Sequence, residues 1–311
     1  METGEAGMDG IINIYKEAGY TSFDVVAKLR GILKQKKIGH TGTLDPDAEG
    51  VLPVCLGKAT KICAYLTEQD KVYRAVLHLG IVTDTQDISG TVLKEQEVTV
   101  TEEKVREVIA GFCGTQKQVP PMYSALKVNG KKLCDLARQG IEVERKAREI
   151  TVYSIRVEQV SLPFVTMEVH CSKGTYIRTL CQDIGEKLGC GGCMERLLRT
   201  KTAGFTLEDA LRLSEVEAVV HGTDEAGRTC RDIILPVDAA LGSYPEISAD
   251  PAMDALLHNG GKIPLEKVQG SLSEEAGQLY RMYDSRHHFV GLFAADLRQQ
   301  CLKPKKMFYQ E

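Results

Sequence analysis

Asp45 is the side chain whose neighbours best prepare it for chemistry. It stands in Lys37-Ile38-Gly39-His40-Thr41-Gly42-Thr43-Leu44-Asp45-Pro46-Asp47-Ala48-Glu49-Gly50-Val51-Leu52-Pro53-Val54, where glycines, a histidine and three acids lie between apolar runs. Pro46 fixes its own φ, lacks an N–H and pushes the residue before it out of the helical region. The Asp45 carboxylate is therefore expected on extended backbone at the lip of a turn, as a candidate reactive group. Asp47 and Glu49 compete with it, and Asp-Pro is also a common turn opener.

Other stretches carry chemistry-bearing residues. Arg178 follows the basic turn Ser172-Lys173-Gly174-Thr175 and falls in the first turn of a helix read from Tyr176 to about Leu188. A cation at a helix N-terminus opposes the macrodipole, so Arg178 is expected to have an anionic partner such as a buried carboxylate. Residues 116–140 form a long excursion that opens on Pro120-Pro121 and closes in a basic turn. There Tyr123 offers a stacking face and Lys127, Lys131, Lys132 and Arg138 offer charge, a mixture suited to RNA. A plain surface insertion fits the same composition. Lys28, Arg30, Lys34, Lys36 and Lys37 lead straight into Gly39-His40, giving either a phosphate-binding face or a solvated helix face. Cys190-Gly191-Gly192-Cys193 is half of a zinc or redox motif. No second C-x-x-C or spaced His pair follows, so a glycine-rich turn after a helix is the better reading.

These residues must be positioned by regular elements. Apolar patterning predicts strands at 11–16, 51–56, 71–79, 150–160 and 164–171, with Tyr73 and Arg74 on opposite faces because side chains alternate. Helices are predicted after a Thr21 or Ser22 cap, over 58–66, from a Thr101 cap through Ile109, over 133–138 and over 207–220. The mixed stretch 194–201 receives no element. From about Gly242, prolines and glycines punctuate short segments, with strand patterns at 279–283 and 288–294 and a basic tail. Strands and helices do not alternate regularly, so the fold class is α+β, with mostly antiparallel strands.

The bulk numbers narrow the classes. The chain has 311 residues, 43% of them hydrophobic and 26% charged, the profile of a globular protein of roughly two domains. A net charge of −4 fits a nucleic-acid binder only if basic residues gather on one face. No apolar run is long enough to cross a membrane. The acidic start has no apolar segment of a signal peptide, so the ten cysteines are expected as free thiols in the reducing cytoplasm. Neither a Walker loop nor a dinucleotide fingerprint is present, so no nucleotide cofactor is expected.

Five separated stretches, in order, resemble one family. Gly39-His40-Thr41-Gly42-Thr43-Leu44-Asp45-Pro46 is similar to the catalytic loop of TruB-type tRNA pseudouridine synthases. Lys71-Val72-Tyr73-Arg74 resembles their second motif and Pro121-Met122-Tyr123-Ser124-Ala125-Leu126-Lys127 their RNA-gripping insertion. His170-Cys171-Ser172-Lys173-Gly174-Thr175-Tyr176-Ile177-Arg178-Thr179 resembles their third motif, and Arg196-Leu197-Leu198-Arg199-Thr200 the stretch after it. Two departures touch loop geometry: Tyr15-Lys16-Glu17-Ala18-Gly19 lacks the rigid proline of Asp-Lys-Pro-x-Gly, and Ala48-Glu49-Gly50 replaces Ala-Thr-Gly.

The resemblance implies a mixed, mostly antiparallel central sheet with flanking helices. A catalytic domain would span 1–240, with the insertion at about 116–140, and a small β-rich, PUA-like RNA-binding domain 241–311. It implies isomerisation of the T-loop uridine of tRNA, position 55, to pseudouridine by a flipped-base route without cofactor or metal. Asp45 would be the nucleophile, Arg178 its counter-charge, and Tyr73 the stacking group and a candidate for proton transfer. Tyr176 and Leu197 would wall the pocket, His40 would take the vacated place in the RNA, and Asp87 would contact a neighbouring nucleotide. Lys36, Lys37, Lys127, Lys131, Lys132 and Lys173 would meet the RNA backbone. The expected partner is the tRNA T stem-loop, bound by a monomer that needs no protein partner and no membrane. A guide-RNA-dependent relative and a non-catalytic RNA-folding protein are the alternatives.

Overall fold

The computed structural model describes residues 7–273 and 275–309. Residues 1–6, part of the start read above as carrying no leader, lie outside them. In chain order the strands are β1 (Gly10–Lys16), β2 (Ile38–His40), β3 (Glu49–Leu56), β4 (Lys71–Leu79), β5 (Ile81–Thr83), β6 (Val92–Glu95), β7 (Gly114–Gln118), β8 (Lys127–Val128) and β9 (Lys131–Lys132). There follow β10 (Arg148–Ser161), β11 (Phe164–Cys171), β12 (Gly192–Thr202), β13 (Phe205–Thr206), β14 (Glu246–Ala249), β15 (Ile263–Pro264), β16 (Val268–Gln269), β17 (Leu279–Tyr283), β18 (Phe289–Asp296) and β19 (Cys301–Met307). The large sheet runs β1-β3-β12-β4-β11-β10-β7, with β2 beside β3 and β13 beside β12. A second sheet runs β15-β19-β18-β17-β14-β16, and β5-β6 and β8-β9 are separate hairpins. The fold is α+β, and the large sheet is antiparallel except where β12 meets β3.

Local sequence accounts for most of these elements. Along β4, Tyr73, Ala75, Leu77 and Leu79 point into the core while Arg74 is exposed, the period-two pattern of a strand with one buried face. Val169, Met167 and Val165 on β11 join that core, as do Leu180 and Ile184 from the helix Ile177–Leu188. The helix Ser22–Ile32 starts with a capping box: Thr21 Oγ1 accepts from Asp24 N at 3.1 Å, and Thr21 N donates to Asp24 Oδ2 at 2.8 Å. Its face of Val25, Val26 and Leu29 packs on Ile12, Ile14, Leu52 and Val54 of β1 and β3.

Three sequence expectations are corrected. The unassigned stretch 194–201 lies in β12, a central strand between β3 and β4. Register shifts between Met194 and Arg196 and between Arg199 and Lys201 break its alternation, which hid the strand. The glycine-rich turn is correspondingly shorter: Gly189 caps the helix in the left-handed region, and Gly192 already belongs to β12. The helix read over 207–220 begins only at Leu213. Leu211 is held outside it, because its N–H donates to Asn13 O at 2.9 Å and its carbonyl accepts from Tyr15 N at 2.8 Å. The helix read over 58–66 is a 3-10 turn, Gly57–Ile62, followed by a short α-helix, Cys63–Thr67.

The Asp45 loop joins β2 to β3, and two contacts hold it. Lys16, at the end of β1, is 0% exposed. Its Nζ donates to Ala48 O at 2.6 Å, Pro46 O at 2.9 Å and Glu17 O at 3.1 Å. The bonds to Pro46 and Ala48 fix the backbone just after Asp45. Burial pushes the Lys16 ammonium down to about 8, against the pull of Asp47, Asp45 and Glu49. At the end of the loop, Gly50 has φ +106° and lies against the backbone of Arg199. A Cβ there would collide with the Arg199 carbonyl oxygen and come within 2.9 Å of its nitrogen.

Two outcomes follow. A lysine depressed from 10.5 to about 8 binds fewer protons folded than unfolded in that window, so its contribution to stability grows as pH rises. Urea unfolding at pH 7.5 and 9.5 should show wild type gaining on Lys16→Met, with a ceiling on the order of 3 kcal/mol; a pH-independent difference would contradict this. Gly50→Ala should cost about 3 kcal/mol in the same assay, from positive-φ strain plus the clash.

Candidate active site

Asp45, in the loop before β3, meets Arg178 beside the interior strands β12 and β4. Arg178 lies in the first turn of the helix Ile177–Leu188 and is 4% exposed. Its Nε lies 2.9 Å from Asp45 Oδ2, and its Nη2 donates to Asp45 Oδ1 at 3.3 Å. Such a two-pronged pair fixes direction as well as charge. A second carboxylate, Asp87 Oδ2, stands 3.6 Å from Nη1. Nη1 also donates to Thr85 O at 3.0 Å and Nη2 to Tyr123 O at 2.7 Å. One guanidinium thus ties three chain segments to its own helix.

Asp45 is packed by protein on most sides, yet 38% of its side chain stays open to solvent. Burial pushes its carboxyl above the ordinary value; Arg178 and Lys16 pull it back and Asp87 adds to the rise. The open edge and the bidentate guanidinium favour the ionised form at neutral pH. Asp87, read as a nucleotide contact, directs one oxygen to Arg178. Its Oδ1 is occupied by Thr85 Oγ1 at 2.7 Å, Ser89 Oγ at 2.6 Å and Ser89 N at 3.1 Å.

The walls are aromatic and apolar. Tyr73 is buried on the same sheet face as Leu197, since Tyr73 pairs with Arg199 and Ala75 with Leu197 across β4 and β12. Burial pushes the Tyr73 hydroxyl up, and the neighbouring Arg199 opposes this. Tyr176, half-buried, caps the helix that carries Arg178. Gln118, at the end of β7, clamps its backbone twice: Oε1 accepts from Tyr176 N at 2.8 Å, and Nε2 donates to Tyr176 O at 3.0 Å. The insertion therefore leaves the sheet from a residue fixed to the pocket wall. Burial pushes the Tyr176 hydroxyl up, with Ser124 of the insertion opposing.

His40 ends β2 and is partly buried. Burial, and less strongly the charge of Arg199, push its ring below the ordinary value, which favours the neutral form. Lys36 and Lys37 are exposed just before β2, and Lys127, Lys131 and Lys132 are exposed on the β8-β9 hairpin. Lys173 is exposed too, but its ammonium pairs with Glu68, so less of its charge is free. Among the described residues no group of three or more His, Cys, Asp and Glu side chains is arranged to hold a metal ion. Cys190 and Cys193 are buried free thiols.

Sequence reasoning missed two site residues, Lys16 and Arg199. Lys16 belonged to a motif in which only the absent proline drew attention. Arg199 stands two residues after Leu197, so reading 192–202 as a strand would have turned it inward beside Leu197.

Comparison with known proteins bears on the whole of this site. Residues 30–177, with Asp45, Tyr73 and Asp87, match the TruB family pseudouridylate synthase N-terminal domain. Residues 178–242, with Arg178, Leu197 and Arg199, match the tRNA pseudouridylate synthase B C-terminal domain. The tRNA pseudouridine synthase B of Lachnoclostridium phytofermentans is 51% identical, covering 97% of this chain and 100% of its own. That of Clostridium perfringens is 47% identical, covering 98% and 100%. In a Cbf5–Nop10–Gar1 complex, a chain 28% identical superposes with a TM-score of 0.78 over 96% of this chain and 85% of its own. A chain of an H/ACA RNP bound to a substrate RNA containing 2'-deoxyuridine gives 0.76 at 26% identity, over 97% and 85%. With family matches running through every element of the site, the chain belongs to the TruB family of tRNA pseudouridine synthases, which are isomerases.

Proposed function

We propose that the chain isomerises the T-loop uridine of tRNA, position 55, to pseudouridine, with Asp45 as nucleophile. The observation that carries this reading is the Asp45–Arg178 pair, a carboxylate with an open edge held by a buried guanidinium between Tyr73, Tyr176 and Leu197. The reaction breaks the bond from N1 to C1′, turns the uracil, forms a bond from C5 to C1′ and releases the C5 proton, while N1 takes up a proton. Electrons are conserved, so no redox partner is required. Attack by Asp45 on the base ring or on C1′ would each detach the base.

The uridine must leave its stack to reach Asp45, at a cost of a few kcal/mol. Tyr73 stacks on the flipped uracil and is the candidate acceptor for the C5 proton. Tyr176 and Leu197 exclude water, and the neutral ring of His40 fills the gap left in the RNA. Asp87 holds Arg178 and faces the neighbouring nucleotide. Lys36, Lys37, Lys127, Lys131, Lys132 and, more weakly, Lys173 meet phosphates. In this reading 1–240 is the catalytic domain and 241–311 a PUA-like RNA-binding domain.

The protein works as a cytoplasmic monomer without protein partners. What supports independence from a guide RNA is the insertion, whose hairpin lysines and Tyr123 carbonyl link RNA grip to Arg178. The related Cbf5 chain occurs with Nop10 and Gar1.

The test uses an unmodified T stem-loop carrying tritium at uridine C5. Wild type should release tritium in single-turnover assays. Asp45→Asn should release at least about a thousandfold less, with stem-loop affinity within a few-fold. Equal release by Asp45→Asn would sink the nucleophile assignment; binding without release by wild type would favour an RNA-folding protein. Because burial raises the Asp45 carboxyl, the rate should fall with acidification at a higher pH than an ordinary carboxylate would give.

A further inference from the structure

We propose that Arg199 is a positioning residue for this reaction, fixing both ends of the Asp45 loop beside the Tyr73 ring. The inference rests on the function proposed above.

Arg199 is 1% exposed, one of the largest fully buried side chains in the protein. Among the described residues no acidic side chain lies within ion-pair distance of it. Taking an unpaired cation out of water is costly unless fixed dipoles replace the water. Here they do. Nε donates to Val51 O at 2.7 Å and Nη2 to Gly42 O at 3.4 Å. Gly42 and Val51 stand on either side of Asp45, so one planar group fixes where the loop begins and where it ends. The Arg199 backbone adds a third restraint, since Gly50 packs on it in the parallel pairing of β3 with β12.

The guanidinium also stands beside Tyr73, its partner across β4 and β12, and its charge favours the phenolate that burial disfavours. That effect suits a ring that faces uracil and handles a proton. A lysine would bring the charge but not the fork, which holds the two carbonyls in one fixed geometry. A residue serving stability alone would not need to link the nucleophile's loop to the stacking tyrosine.

The experiment compares wild type, Arg199→Lys and Arg199→Gln in single-turnover pseudouridine formation, stem-loop affinity and carbon-13 NMR of ring-labelled tyrosines. Tyr73→Phe assigns the Tyr73 resonance. For a variant that folds, the rate should drop at least about tenfold with affinity changed less than threefold. The Tyr73 signal should move, and its ionisation should shift to higher pH, while the tyrosines of the second sheet keep their positions. A retained rate would overturn the proposal. So would a rate loss that follows weakened RNA binding with the Tyr73 signal unmoved. If neither variant folds, Arg199 serves stability and the proposal is equally overturned. An inactive wild type would count against the function proposed above, while the NMR comparison would still decide whether Arg199 acts on Tyr73.

Discussion

The site depends on a cation placed where the helix backbone opposes it. Arg178 stands at the positive end of the helix Ile177–Leu188, out of water, and can remain there only because Asp45 and Asp87 face it. The need is mutual. A carboxylate pushed up by burial requires a fixed opposite charge to stay ionised. The same guanidinium holds the carbonyls of Thr85 and Tyr123. The loop after β5 and the insertion before β8 are therefore referred to one point, and displacement of either would disturb the ion pair.

Arg178 is one of three buried cations around the Asp45 loop. Lys16 holds the carbonyls of Pro46 and Ala48, and Arg199 those of Gly42 and Val51. A loop rich in glycine and proline cannot satisfy its own carbonyls through helix or ladder bonds, so buried donors must do so. Long cationic side chains reaching in from β1 and β12 meet that need and add positive potential next to a carboxylate. The protein is acidic as a whole, at −4, yet cationic where the nucleophile of the proposed reaction sits. The charge beside that nucleophile is therefore set by local placement and not by the chain's overall sum.

Legibility in the sequence followed period and local chemistry. β4 was readable because Tyr73, Ala75, Leu77 and Leu79 keep strict alternation. The helix Ser22–Ile32 was readable because Thr21 and Asp24 form a cap that depends on neighbours alone. The need of Arg178 for an anion was readable from its helix position. What stayed hidden depends on distant partners. β12 is a central strand whose bulges erase its period, so its placement and the inward turn of Arg199 were not visible. Residues 207–212 have helical patterning, but Leu211 among them is captured by Asn13 and Tyr15 of β1. Lys16 reads as an ordinary strand-end lysine until the loop from 46 to 48 folds over it.

The central claim is that Arg178 holds Asp45 ionised in its pocket. It is tested most directly by carbon-13 NMR titration of the Asp45 side-chain carboxyl in wild type and Arg178→Met. Removing the guanidinium should move the Asp45 titration to higher pH. An Asp45 titration that stays where it was in wild type would contradict it.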